Sequence, residues 1–237
     1  VNQFHDILPG SHIHPVYEDA MQDYKEIDKA LDEIIGTGTR YFNTLNFKRD
    51  ALTFVENKKG TSTRYGKKGN WLIPDIDSLS SKSLRAKHGD TDWFSLENSV
   101  VNTPFYTARL NNDGSFSSLF DKQLCREWTD GDFNKLKLYV DRPGNYDAWD
   151  ILPNYRDKQA QICIDKDIEL VELDGESATL KATLKTEKST WTMLIRFFRQ
   201  SRGIEVENNV NWNEKHILAK AEFSCNILSR KALCDIS

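Results

Sequence analysis

The chain has 237 residues, 38% hydrophobic and 29% charged, enough for a substantial core in one large β-rich domain or two smaller ones. A formal net charge of −4 and a pI near 5.8 leave no basic footprint for nucleic acid. No apolar run approaches the roughly 20 residues that span a membrane, and the opening at Val1 carries no signal-peptide pattern.

The first stretch, Val1-Asn2-Gln3-Phe4-His5-Asp6-Ile7-Leu8-Pro9-Gly10-Ser11, sets an imidazole beside a carboxylate ahead of a Pro-Gly break. Imidazole is a common zinc ligand, and an adjoining carboxylate suits substrate hydroxyls or support of a ligand. The plain alternative is a helix end followed by a turn. His12-Ile13-His14 has a metal-like spacing only if extended, and we read it as a helix start. From Pro15 to Ile35 the residues Val16, Ala20, Tyr24, Ile27, Leu31, Ile34 and Ile35 recur at three- and four-residue steps, which predicts an amphipathic helix. Pro15 suits its first turn, and Gly36 and Gly38 suit its exit. A helix about 30 Å long must bury that stripe against something.

After Gly38 the period changes to two. Lys135–Val140, Ala178–Leu184 and Trp191–Phe197 alternate as strands, with Trp191, Met193, Ile195 and Phe197 on one face and Thr190, Thr192 and Arg196 on the other. Ile204, Val206, Val210 and Trp212 continue the theme. Asn112-Asp113-Gly114 and Asp174-Gly175 are hairpin-type turns. No strand is followed by a crossover helix, so antiparallel sheets are expected. The basic, Gly-rich interval 57–70 reads as a hairpin or long loop without a phosphate-binding pattern, and 78–92 reads as a second loop. Asp130-Gly131-Asp132 lacks the remaining ligands of a calcium loop and reads as a turn. Cys125, Cys163, Cys225 and Cys234 form no CxxC pair; Cys163 and Cys225, among alternating apolar residues, read as buried free thiols and point to a reducing, cytoplasmic setting.

Tyr146-Asp147-Ala148-Trp149-Asp150 follows a strand. Rings and carboxylates in such a loop suit a sugar, whose C–H faces pack on aromatics and whose hydroxyls donate to carboxylates. A strand-end turn with Trp149 as a core anchor is the alternative.

Three segments, in order, carry a resemblance. They are Asn2–Gly10 followed by Val16-Tyr17-Glu18-Asp19-Ala20; Glu97-Asn98 with Asn112-Asp113-Gly114 and Ser118-Leu119-Phe120-Asp121-Lys122; and Asp141-Arg142-Pro143-Gly144-Asn145-Tyr146-Asp147-Ala148-Trp149-Asp150. Together they resemble the family 38 glycoside hydrolases, the α-mannosidases, with Ser11 standing where many relatives have Thr. The resemblance implies a mainly β fold: a large antiparallel β-sandwich, of the supersandwich, galactose-mutarotase-like kind, preceded by one long amphipathic helix. Residues 1–36 would end a helical-bundle domain carrying the His-Asp motif, and 37–237 would be β-sandwich, truncated at its C-terminus.

The same resemblance implies that His5 is a zinc ligand and that Asp6, Tyr146 and Asp147 contact the sugar. The reaction implied is retaining hydrolysis of terminal α-mannosides, through a nucleophile and an acid/base carboxylate roughly 5 Å apart. Both belong to a catalytic α/β domain that would precede Val1, so no catalytic residue is assigned in this chain, which is expected to be inactive and zinc-free alone. Partners implied are mannose-containing oligosaccharide, the protein's own N-terminal catalytic domain and a further copy of the chain in a homo-oligomer; neither nucleic acid nor membrane is expected. The alternative is a non-catalytic carbohydrate-binding β-sandwich.

Overall fold

The structure, a computed structural model, describes residues 13–35, 40–49, 52–83, 89–146 and 150–231. Among them, one helix, α1 (His14–Ile35), is followed by seventeen strands. The first nine are β1 (Arg40–Asn43), β2 (Thr53–Glu56), β3 (Ser62–Arg64), β4 (Lys67–Leu72), β5 (Ser80–Ser83), β6 (Ser95–Glu97), β7 (Val100–Asn102), β8 (Tyr106–Leu110) and β9 (Phe116–Asp121). The rest are β10 (Arg126–Glu127), β11 (Thr129–Val140), β12 (Gln159–Ala160), β13 (Cys163–Leu173), β14 (Ser177–Lys185), β15 (Thr190–Phe198), β16 (Glu205–Asn211) and β17 (Ile217–Cys225). Two compact units result, one drawn from Val1–Lys48, Ile76–Leu84 and Arg142–Pro153, the other from Arg49–Asp75, Arg85–Asp141 and Asn154–Ser237.

In the first unit, α1 forms where the 3.6-residue period predicts it. Its surface is laced by Gln22 donating to Glu26 at 2.9 Å and by His14 Nε2 lying 3.4 Å from Glu18. Of the apolar stripe, Ala20 is buried at 5% exposure, whereas Ile27 and Leu31 are 52% and 47% exposed. The polar stretch Ser80–Ser83, which the sequence places in a loop, is strand β5 paired antiparallel with β1 from Arg40↔Ser83 to Asn43↔Ser80. Backbone pairing makes this strand, and buried Asn43 secures it by donating to the carbonyls of Phe47 and Ile76 at 2.7 and 3.1 Å.

The second unit holds the sandwich. An eight-stranded antiparallel sheet runs β12-β11-β9-β8-β7-β6, with β10 beside β9 and β17 beside β11. A four-stranded antiparallel sheet runs β13-β14-β15-β16. The two face each other across one core, in which Val101, Ala108, Phe116 and Leu138 meet Leu180, Ala182, Ile195 and Phe197. The Phe116 and Phe197 rings lie edge to face at 6.2 Å. The period-two readings of 135–140, 178–184 and 191–197 hold, as do both hairpin turns.

A third layer was not legible in the sequence. The interval 57–70, read as a hairpin or long loop, holds the β3–β4 hairpin, which pairs with β2 to form the sheet β2-β4-β3. Its β3–β4 hairpin turns on Tyr65 and Gly66, both at positive φ (48° and 74°), the conformation that matches strand twist in a two-residue connection. This sheet covers the outer face of β14 and β15. Trp71 packs on Phe198 at 4.8 Å, and Ser62 bonds Ser177 at 2.9 Å. Arg196, on the polar side of its strand, is therefore fully buried; it donates to Glu205 and Glu207 at 2.9 Å each and to the Thr63 carbonyl. Burial pushes the Glu207 carboxyl up, and bonds from Asn209, the Tyr65 amide and Arg196 outweigh it, leaving it below the usual range.

Two further readings are corrected. Asp130-Gly131-Asp132 is no turn: it lies inside β11, with Gly131 at φ 101° and the register to β17 shifting between Thr129 and Phe133, a bulge. Cys163 and Cys225 are exposed free thiols, as is Cys125. Cys163 starts β13 and Cys225 ends β17, each strand paired on one side only, so their alternating neighbours do not place them inside. No helix among the described residues is long and apolar enough to cross a membrane.

Candidate functional site

Of the residues singled out by sequence, His5, Asp6 and Asp147 lie outside the described residues, as do Trp149 and His12. Tyr146 is described. It is 74% exposed and adopts a left-handed φ of 59°, a conformation non-glycine residues seldom take without a reason. Its carbonyl accepts the Asp150 amide at 2.9 Å. Its side chain is exposed, as a sugar-stacking ring must be. Among the described residues no three His, Cys, Asp or Glu side chains come together to hold a metal.

The segment from Glu97 to Lys122 has structural work that its residue types explain. Asn98 and Ser99 (φ 49° and 64°) form the two-residue turn between β6 and β7. Asp113 Oδ1 accepts the Ser115 amide at 3.0 Å and the Ser115 hydroxyl at 2.6 Å, while its other oxygen meets Lys135. Burial raises the Asp113 carboxyl; these bonds and the ammonium more than offset it. Gly114, at φ 81°, has its absent Cβ 3.2 Å from Ala182 and 3.3 Å from Met193 Sδ. A side chain there would require its neighbours to give by a few tenths of an ångström. Asp121, fully buried, takes the amides of Gln123 and Leu124 at 3.0 and 2.9 Å, the Trp128 indole at 3.3 Å, and Arg202.

A polar concavity lies on the outward face of the eight-stranded sheet. It is an open groove of about 610 Å³ between β11, β17, β12 and the 3₁₀ turn Tyr155–Asp157. Lys137 and Lys220 are directly opposed across β11 and β17. Like charges in that relation repel. Each ammonium is drawn to a separate partner: Lys137 donates to Glu222 at 2.7 Å and Lys220 to the Tyr155 hydroxyl at 2.6 Å. Tyr139 donates to the second Glu222 oxygen at 2.6 Å, and Arg156 Nε donates to the Tyr155 oxygen at 3.1 Å. The two tyrosine rings meet edge to face at 5.1 Å, with the Lys220 ammonium 4.4 Å from the Tyr155 ring centre. The hydrogen bond to Glu222, together with burial, pushes the Tyr139 hydroxyl up to about 12. The Lys220 bond lowers that of Tyr155 against a smaller opposing effect of burial. Sequence reasoning missed this groove because Tyr139, Tyr155 and Lys220 come from segments that only strand register brings together.

Comparison with known proteins supplies the class. Residues 101–237, more than half of the chain, match the glycosyl hydrolases family 38 C-terminal domain, and the chain belongs to that family. Over its whole length it is similar to alpha-mannosidase 2C1 of Mus musculus, 23% identical over 275 aligned residues. The chain spans 25% of that relative's length.

Proposed function

We propose that this chain serves as part of a zinc-dependent, retaining α-mannosidase that releases terminal mannose from oligosaccharides. The observation that carries this reading is the match of residues 101–237 to the family's C-terminal domain, joined by whole-chain similarity to a protein named alpha-mannosidase. In it, His5 is one zinc ligand, Asp6 beside it accepts hydrogen bonds from sugar hydroxyls, and Asp147 contacts the same sugar. Tyr146 offers an exposed ring face and a hydroxyl. The zinc would supply a positive charge that binds sugar hydroxyls. The roles this reading gives to this chain are binding and orientation. The nucleophile and acid/base belong to the protein's own N-terminal catalytic domain, the chain's main partner in this reading. Three exposed free thiols agree with a cytoplasmic setting.

The test is made in the full-length protein, by zinc analysis and by hydrolysis of an aryl α-mannoside. His5→Ala is expected to lower zinc content and cut turnover by orders of magnitude. Asp6→Asn should keep zinc and lose about 10- to 100-fold in turnover, the range for groups that support a metal site. Tyr146→Phe should lose about 1 kcal/mol of sugar recognition, the worth of one hydrogen bond. Zinc content and rate both near wild type in His5→Ala would overturn the reading. Sugar binding by the wild-type protein with neither zinc nor hydrolysis would mark a carbohydrate-binding module instead.

A further inference from the structure

The groove over β11 and β17 carries an imbalance of charge and of hydrogen-bonding groups. Three cations, Lys137, Arg156 and Lys220, line it with one carboxylate, Glu222, a net of three minus one, or +2. Both Glu222 oxygens are engaged by Lys137 and Tyr139. The Tyr155 oxygen accepts from both Lys220 and Arg156, which draws the two cations toward each other. Lys220 has further N–H groups beyond the bond it makes, and Arg156 uses only Nε, so its planar NH₂ fork is open. Asp157, next to Arg156, does not line the groove. The walls therefore present donors from two sides and no uncommitted carboxylate.

A second observation points the same way. The Lys137↔Lys220 pair places like charges opposite each other on neighbouring strands, an arrangement that destabilises a sheet unless something between them compensates. Glu222 compensates one of the two. The other rests against a neutral phenol and its ring, which an anion would complement better than water does.

We infer that this groove is a binding site for a doubly charged tetrahedral oxyanion, a phosphate group that is free or carried on a sugar. Lys220 and Arg156 hold its charge, and the Tyr155 hydroxyl that both of them bond sets their positions. The site does not depend on the mannosidase reading, and nothing in the family assignment supplies it.

The experiment is titration of the full-length protein with inorganic phosphate, a hexose 6-phosphate and the neutral hexose, followed by calorimetry and by ³¹P line broadening, at low and high salt. Wild type should bind inorganic phosphate and the hexose phosphate, more weakly as salt rises. If the sugar-borne phosphate is the true ligand it binds about tenfold or more tightly than free phosphate; if free phosphate is the ligand the two are equal. Either result supports the site. Loss of charged hydrogen bonds in Lys220→Gln/Arg156→Gln should weaken binding about 10- to 100-fold. Tyr155→Phe, which keeps the ring, should weaken it by a smaller factor, about fivefold. A circular dichroism spectrum and melting midpoint matching wild type show that the variants are folded. No phosphate binding in wild type overturns the proposal. So does undiminished binding in a folded double variant, or neutral hexose binding as tightly as its phosphate.

Discussion

The helix α1 and the strand pair β14–β15 carry equally clear apolar patterns, and the fold treats them differently. Leu180, Ala182, Ile195 and Phe197 are at most 1% exposed, locked between two sheets, with a third sheet behind. Along α1 Ala20 is buried at 5% exposure, while Tyr24, Ile27 and Leu31 are 40%, 52% and 47% exposed. Periodicity reports which face of an element is fitted for burial. It is silent on what does the burying, because that requires another surface of matching shape.

The contrast can be broken by truncating each element. Phe197→Ala removes a ring that packs on Phe116 and Phe94, and should cost about 3–5 kcal/mol in a denaturant melt followed by tryptophan fluorescence, to which Trp93, Trp128 and Trp191 beside that core contribute. Leu31→Ala on α1 should move the same melt by less than about 0.5 kcal/mol, as half-exposed positions usually do. Equal costs would mean that α1 is as fully packed as the sandwich.

A smaller effect separates backbone constraint from side-chain packing. Gly114→Ala introduces a methyl 3.2–3.4 Å from Ala182, Met193 and Ile195 at a residue held at positive φ. The expected cost is roughly 1–3 kcal/mol, read as a lower denaturant midpoint with an unchanged slope. A neutral outcome would show that the two sheets separate there without penalty.

A last effect depends on pH. Burial pushes the Glu127 carboxyl up, but bonds from the Ser118 hydroxyl (2.6 Å), the Thr129 amide and hydroxyl (3.0 and 2.8 Å) and the Leu119 amide (2.7 Å) hold it down to about 2, against an ordinary 4.5. A depressed folded-state value stabilises above the unfolded pKa, so its contribution is complete above about pH 4.5 and fades as pH falls toward 2. Melts of wild type and Glu127→Gln should differ at pH 7 and converge as the pH is lowered through that window. A gap that stays constant with pH would remove Glu127 from the acid response. On α1 the carboxylate of Glu18 meets His14 at the exposed surface instead.

The sequence alone determined the elements whose pattern is local: the helix from its 3.6-residue stripe, the long strands from their alternation, and the hairpins from Asn-Asp-Gly and Asp-Gly. It also carried the family resemblance, since Asn98, Gly114 and Asp121 mark backbone conformations and buried bonds that few other residues satisfy. Tertiary structure alone decided which alternating faces are buried. Arg196 reads as a solvent-facing residue until a third sheet covers it, and Cys163 and Cys225 read as core until β13 and β17 prove to be edge strands. Ser80–Ser83 has no apolar signal, and its pairing with β1 makes it a strand. The groove around Tyr155 lies deepest in this category. Lys137 and Lys220 are 83 positions apart in the numbering, and only the β11–β17 register sets them opposite each other. Local patterns are fixed by bond geometry within a few residues, whereas burial and site formation depend on surfaces that the chain brings together only by folding.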